Sequence, residues 1–129
     1  GSIMKHVLLS CGILAGILAF CICNSLALGH QIQQTVSQLE QARQEVSEGA
    51  YETAGQTVLA ASDQWDRHEF YFGTMLRHDE LDEVVGSFAA LQTYAACQDG
   101  DEFLSMCAQL IKRLEHIRAM EQPLPANIL

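Results

Sequence analysis

The stretch Val7–Leu28, VLLSCGILAGILAFCICNSLAL, decides the fold because it carries no charged side chain. Its polar side chains are Ser10, Asn24 and Ser25. A bilayer core about 30 Å thick is crossed by roughly 20 helical residues, and a helix satisfies its own backbone hydrogen bonds in lipid. The sequence therefore predicts a transmembrane anchor over residues 7–28, with the lipid bilayer as its partner.

A cleaved secretory signal peptide is the alternative interpretation of the same stretch. Lys5 precedes it, and Ser25-Leu26-Ala27 offers the small residues that a signal peptidase site requires. The uninterrupted apolar run over residues 7–23 is longer than the ~7 to 15 residues usual in a signal peptide, which favours the anchor. Either interpretation exports the rest of the chain.

The distribution of basic residues predicts the side of the membrane. Lys5 stands directly before the apolar stretch, whereas the next basic residue, Arg43, lies well beyond its end. Because positive charge stays on the cytoplasmic side, we expect residues 1–6 in the cytoplasm and residues 29–129 outside it, in a single-pass protein of the cell membrane. Residues 1–3, ahead of Met4, are interpreted as a cloning remnant.

Gly12 and Gly16 form a G-x-x-x-G pattern within the apolar stretch. Glycines four residues apart lie on one helix face and let two membrane helices approach closely. The pattern is compatible with a homodimer that forms through this face, although small residues are common in membrane helices generally.

The charge balance of the chain limits its partners. The 129 residues contain 7 Lys and Arg against 16 Asp and Glu, which gives a net charge of -9. Binding to nucleic acid depends on positive charge that neutralises phosphates, so nucleic acid is excluded as a partner. The length leaves room for one folded domain beyond the apolar stretch.

Apolar residues recur at helical spacing throughout residues 29–129. In the first segment they are Ile32, Val36, Leu39, Ala42 and Val46, which continue the membrane helix up to a stop at Gly49. The second segment follows a heptad of Tyr51, Ala54, Val58, Ala61, Trp65, His68, Phe72 and Met75. The third begins after Asp79 as the N-cap and directs inward Leu81, Val84, Val85, Phe88, Leu91 and Ala95. The fourth runs from Asp101 to a stop at Pro123 and Pro125, with an apolar face of Phe103, Leu104, Cys107, Leu110, Ile111, Leu114 and Ile117.

A short connection around Gly49 joins the first segment to the second, and one around Gly100 joins the third to the fourth. Connections this short place sequential helices antiparallel. The predicted fold is all-α, with an N-terminal transmembrane helix followed by an antiparallel helical bundle of about four helices. Cys97 and Cys107, the two cysteines outside the apolar stretch, flank the second turn unequally. We therefore expect them to be unpaired.

One polar cluster offers ligands for a divalent metal ion. His78, Asp79 and Asp82 lie near the start of the third helix, and His78 and Asp82 share a helix face because they are four residues apart. With His68 and His116 they form the candidate metal site. The alternative interpretation is structural, because acidic side chains in the first helical turn are stabilised by the helix dipole.

Four apolar side chains are candidates for an interface with another protein: Trp65, Phe72, Ile128 and Leu129. Trp65 and Phe72 serve equally well in the core of the bundle. Two apolar residues at the chain end are explained by docking onto the bundle or onto a partner. The motifs of serine hydrolases, phosphate-binding loops and zinc proteases do not occur, so we expect neither enzymatic activity nor a cofactor.

Several short landmarks occupy the second half of the chain. They are Trp65 with His68, His78-Asp79-Glu80-Leu81-Asp82, Leu114-Glu115-His116-Ile117 with Glu121, and Asn127-Ile128-Leu129. In this order they resemble a bacterial family known as a domain of unknown function. The resemblance implies a Gram-positive, often spore-forming source and a short protein with one membrane span and an extracytoplasmic helical domain. It implies no activity.

Two functions are open from the sequence. The first is a non-enzymatic, membrane-anchored bundle that binds or scaffolds another envelope protein, such as a multi-pass membrane protein. The anchor and the long heptad favour it. The second is an extracytoplasmic sensor or binding module for a metal ion or small ligand, which would use the five candidate metal ligands.

Overall fold

The computed structural model describes residues 1–67 and 78–121, except the side chains of His78, Met120 and Glu121. This part of the chain forms four helices and contains no strand. They are α1 (Ser2–Ser47), α2 (Tyr51–Arg67), α3 (His78–Ala96) and α4 (Gly100–Glu121). The all-α class predicted from the sequence is confirmed.

Helix α1 is continuous over 46 residues, so it joins the apolar stretch to the bundle without a linker. At 1.5 Å per residue it is about 69 Å long. The side chains before Leu28 lie outside the core, whereas Leu28 and the apolar residues of the second half are buried. The exposed half is long and apolar enough to cross a membrane. The core of the bundle therefore begins directly where the predicted span ends.

Gly12 and Gly16 lie in the exposed half of α1. A methyl group built on either glycine meets no atom of the chain within 4 Å. The face predicted for a homodimer is thus open in the monomer, and the dimer stays a prediction.

The second half of α1 forms a four-helix bundle with α2, α3 and α4. Helix α1 contacts α2 and α4, and α3 contacts the same two helices. Gln64 of α2 donates to Gln34 of α1 at 2.8 Å, and Thr57 of α2 donates to Glu45 of α1 at 2.6 Å. Because the later residue of α1 meets the earlier residue of α2, these two helices are antiparallel.

The contacts between α1 and α4 have the same sense. Arg118 of α4 donates to Gln33 of α1 at 2.6 Å, and the Cys107 thiol donates to the Leu39 carbonyl at 3.4 Å. Residue numbers therefore rise along α1 as they fall along α4. The helices run alternately up and down, as the short connections predict.

The core is formed by one apolar face from each helix. Its buried residues are Leu28, Ile32, Val36, Leu39, Ala42, Val46, Ala54, Val58, Ala61, Trp65, Leu81, Val84, Phe88, Leu91, Ala95, Phe103, Cys107, Leu110, Ile111, Leu114 and Ile117. Tyr51 and Leu104 are partly buried against them. Most inward positions predicted from the periodicity are confirmed, whereas His68, Phe72 and Met75 lie outside the described residues.

Val85 is a correction to the predicted core, because its side chain is 41% exposed. Its neighbour Val84 is fully buried. Adjacent residues of an α-helix are rotated by about 100°, so the two valines do not both face the centre of the bundle. The buried face of α3 is therefore narrower than its run of apolar residues indicates.

The turn between α1 and α2 closes as the sequence predicts. Gly49 donates its amide to the Val46 carbonyl at 3.0 Å, and Ala50 donates to the Glu45 carbonyl at 2.8 Å. These two bonds form the Schellman motif that satisfies the last carbonyls of a helix. Gly49 has φ 81°, a left-handed conformation that glycine adopts without a steric penalty.

The turn between α3 and α4 differs from the prediction centred on Gly100. The left-handed residue is Gln98, with φ 55°, and Asp99 donates its amide to the Tyr94 carbonyl at 2.9 Å. Gly100 instead begins α4. A Cβ at Gly100 would lie 2.8 Å from the Tyr51 hydroxyl oxygen, so this glycine permits a close approach between helices.

The start of α3 also differs from the prediction. The helix begins at His78, so Asp79 lies inside the first turn and is not the N-cap. Asp79 and Glu80 are the acidic residues of that turn, where the helix dipole favours negative charge. At the start of α4, Asp99 acts as the cap and accepts a hydrogen bond from the Glu102 amide at 3.3 Å.

The cysteines outside the apolar stretch are unpaired, as expected. Cys97 is an exposed free thiol and Cys107 is a buried one. Burial raises the pKa of the Cys107 thiol from 9.0 to about 12. Cys107 therefore behaves as a small apolar core residue at neutral pH.

Candidate functional site

An open groove lies between α2 and α3, in the half of the bundle away from the apolar stretch. Its volume is about 420 Å³. The lining residues are Tyr51, Glu52, Gly55, Gln56 and Leu59 from α2, and Gln92, Ala95, Ala96 and Gln98 from α3 and the turn that follows it. We refer to this feature as the α2–α3 groove.

Small residues at one level of the two helices produce the α2–α3 groove. A Cβ built on Gly55 would lie 3.6 Å from the Cβ of Ala95, so the backbones are close and no long side chain stands between them. Ala96 also lines the groove, and its side chain is only a methyl group. The floor of the groove is therefore apolar and shallow.

Leu59 gives the α2–α3 groove an exposed apolar side. Its side chain is 50% exposed, although it lies on the helix with the regular heptad. Within residues 28–67 and 79–119, the exposed large apolar side chains are Leu59 and Val85, and Leu59 is the more exposed of the two. A single exposed leucine is ordinary, but Leu59 stands at the edge of a concave surface.

At the end of the bundle around this groove, every charged side chain is acidic. We define the distal end as residues 44–56 and 93–105, which surround the two turns. Its carboxylates are Glu45, Glu48, Glu52, Asp99, Asp101 and Glu102, and its sequence contains no Lys or Arg. The basic residue nearest to the distal end in the chain is Arg43, which pairs with Glu40 at 3.3 Å. The distal end therefore carries uncompensated negative charge.

Two of these carboxylates have distinct positions. Glu45 accepts a hydrogen bond from Thr57 at 2.6 Å, so it links α1 to α2. Glu52 is exposed and lines the α2–α3 groove itself. Glu52 is the carboxylate best placed to meet a cation bound in the groove.

The candidate metal ligands occupy the opposite half of the bundle. Asp79 and Asp82 are exposed on α3, and His116 is exposed on α4. Within residues 1–67 and 78–121, no group of three or more His, Cys, Asp or Glu side chains is placed to hold a metal ion. The His78 side chain and His68 lie outside this description.

The surroundings of His116 do not favour a cation. It lines a shallow surface depression with Gln109, Lys112 and Arg113. Arg113 also pairs with Glu83 of α3, which joins the two helices. The ammonium group of Lys112 beside the imidazole repels a divalent metal ion, and the Glu83 carboxylate is already paired with Arg113. The metal-binding interpretation therefore gains no support from the described residues.

The candidate interface residues are described in part. Trp65 is 1% exposed and lies against Phe88, with ring centroids 6.4 Å apart and planes inclined by 51°. Its ring thus belongs to the core of the bundle, one of the two roles open from the sequence. Phe72, Ile128 and Leu129 lie outside the described residues.

Sequence reasoning did not identify the α2–α3 groove. It depends on Gly55 and Ala95 meeting at one level, and these residues are 40 positions apart in the chain. Two features of the sequence could have indicated it. The charged residues around the two turns are all acidic, and Gly55 lies within a helical heptad. A helical glycine costs stability relative to alanine, so its presence indicates a close contact or a surface.

Residues 23–128 match a family model described as Domain of unknown function (DUF4363). The match covers the bundle and the last part of the apolar stretch. No curated protein and no solved structure matches the chain. The resemblance deduced from the landmarks is confirmed to the extent that the family is one of unknown function.

Proposed function

The chain belongs to the DUF4363 family, and from that premise and the geometry of the α2–α3 groove we propose that it is a membrane-anchored binding protein. Its bundle receives a basic amphipathic helix from another envelope protein. The observation that carries the proposal is an apolar groove at an end of the bundle that has six carboxylates and no basic residue.

The shape and charge of the groove select this class of partner. An amphipathic helix places its apolar face in a groove between two helices, and here that face would lie on Gly55, Ala95 and Leu59. Lysine or arginine beside that face would lie near Glu52. Charge complementarity of this kind accelerates association and excludes acidic competitors.

Because the bundle continues directly from the anchor, the distance between the bilayer and the α2–α3 groove follows from the length of α1. Because Glu45 of α1 meets Thr57 of α2, Leu59 lies close to the level of Arg43 on α1. Fifteen helical residues separate that level from Leu28, which corresponds to about 22 Å. The partner's binding segment would therefore stand clear of the bilayer, in a loop or domain outside its membrane helices.

The extracytoplasmic placement of the bundle is part of the proposal. It is supported by Lys5 before the span and by the absence of other basic residues until Arg43. The long apolar half of α1 supports a single-pass arrangement in the cell membrane. The predicted lack of enzymatic activity also stays a prediction.

A photo-crosslinking amino acid in place of Leu59 tests the groove in cells that carry the gene. We expect a defined adduct with one partner, whose crosslinked peptide is basic and amphipathic. The matched control replaces Ala108, an exposed residue on α4 away from the groove. An adduct of equal yield from Ala108, or an acidic crosslinked peptide, would contradict the proposal.

Charge reversal at the groove gives a second measurement with the same adduct. Glu52→Lys is expected to lower its yield about tenfold, because a like charge then opposes the partner's cation. Glu115→Lys makes the same charge change at an exposed residue of α4 outside the groove and should leave the yield unchanged. Equal losses in both variants would show that net charge alone controls binding.

A further inference from the structure

Arg118 is fixed at the level where the apolar stretch ends. It lies in the last turn of α4, and a Cβ built on Gly29 would lie 3.8 Å from its Nε atom. Gly29 directly follows Leu28, the last residue of that stretch. Because α1 is continuous, this level becomes the boundary between lipid and water when the span lies in a bilayer.

The guanidinium of Arg118 has a neutral partner in the chain. Its Nη1 donates to the Oε1 of Gln33 at 2.6 Å. Its Nε atom is buried and has no hydrogen-bond acceptor among the described residues. The charge of an arginine persists at all physiological pH values, and a buried donor without an acceptor is unfavourable. Because the Nε atom itself is buried, an anion would reach the guanidinium at its exposed Nη end and would balance its charge.

The carboxylates near the level of Arg118 lie mainly on α2 and α3 and not on α1. Helix α1 contains no acidic residue from its start until Glu40. On α4 the nearest carboxylate in the chain whose side chain is described is Glu115, which is exposed. Among the residues whose side chains the structure describes, the other carboxylates at this height belong to α2 and α3, namely Asp63, Asp66, Asp79, Glu80, Asp82 and Glu83.

We propose that Arg118 binds the phosphate of an anionic lipid headgroup at the surface of the membrane that anchors the chain. Planar guanidinium groups bind phosphate through paired hydrogen bonds, and basic side chains close to an anionic leaflet are attracted to it. The contact would hold the end of α4, together with the adjacent part of α1, at the surface of the bilayer. The inference depends on the membrane span but not on the α2–α3 groove.

Thermal unfolding of the full chain in lipid nanodiscs tests this contact. The fluorescence of Trp65, the single tryptophan, reports the state of the bundle. Replacing part of the phosphatidylcholine by phosphatidylglycerol is expected to raise the midpoint by about 4 °C. Arg118→Gln should abolish this rise, because the variant lacks the positive charge that binds the headgroup.

Arg43→Gln is the matched control, since it removes a basic residue that pairs with Glu40 away from the boundary. This variant should keep the rise. Comparing the two lipid compositions within each variant removes any general loss of stability. If Arg118→Gln does not fold, Arg118→Met replaces it with the same expected loss of the rise. Gln33→Ala and Arg118→Lys should keep the rise, because both keep the positive charge.

Three results would overturn the inference. They are the absence of a rise in the unmodified chain, an equal rise in the unmodified chain and in Arg118→Gln, and the loss of the rise in Gln33→Ala or Arg118→Lys. Inorganic phosphate added to phosphatidylcholine nanodiscs distinguishes the source of the anion. An equal rise with free phosphate would also contradict a headgroup site. None of these results changes the adducts expected from Leu59, so the proposed function is tested separately.

Discussion

The double substitution Leu14→Arg with Ile17→Arg is expected to release the chain from membranes. Both side chains are more than half exposed, at 59% and 54%, so the folded chain does not cover them. An arginine at the centre of a membrane helix costs about 2.5–3.5 kcal/mol on insertion scales. Two of them cost about 5–7 kcal/mol, roughly a ten-thousand-fold change in partition.

Alkaline carbonate extraction followed by centrifugation measures this release. The unmodified chain should stay in the membrane pellet, and the double variant should move to the supernatant. The matched control places the same charges at two exposed bundle positions, Ala60→Arg with Ala108→Arg, and should stay in the pellet. Retention of the Leu14 and Ile17 variant in the pellet would contradict a transmembrane role for this half of α1.

Trp65→Ala is expected to lower the free energy of unfolding of the bundle by about 3–5 kcal/mol. The ring is 1% exposed and contacts Phe88, so its removal leaves a cavity between α2 and α3. Domains of this size have a total stability of about 5–15 kcal/mol. The variant would therefore be close to unfolding at room temperature.

Urea denaturation of the full chain in neutral nanodiscs, followed by circular dichroism, measures this loss. Leu59→Ala is the matched control, since it also truncates an apolar side chain of α2, but one that is half exposed. We expect it to cost less than about 1 kcal/mol. An equal, small loss in both variants would mean that Trp65 lies on a binding surface and not in the core.

The fold followed from the sequence because the determining signals are local. The apolar stretch fixes one helix, and the heptad from Tyr51 to Trp65 fixes the buried face of another. The errors arose where neighbouring residues compete for one position. Val84 takes the inward position beside Val85, and the turn predicted around Gly100 has its left-handed residue at Gln98, with Gly100 already in α4.

The candidate sites were harder to predict because they depend on contacts between distant residues. The α2–α3 groove requires Gly55 to face Ala95, and the boundary position of Arg118 requires α4 to end beside Gly29. Neither pairing has a periodic signal in the sequence. The histidines and acids singled out as metal ligands were conspicuous by residue type, yet the described ones do not form a cluster.

The natural cysteines allow the most direct test of the central claim, that one continuous helix both crosses the membrane and enters the bundle. Cys11, Cys21 and Cys23 are exposed in the structure, as is Cys97, whereas Cys107 is buried. A membrane-impermeant maleimide is applied to membranes open on both sides, and labelled peptides are identified by mass spectrometry. We expect rapid labelling of Cys97 alone, because lipid shields the three cysteines of the span. Labelling of those three at the rate of Cys97 would contradict it.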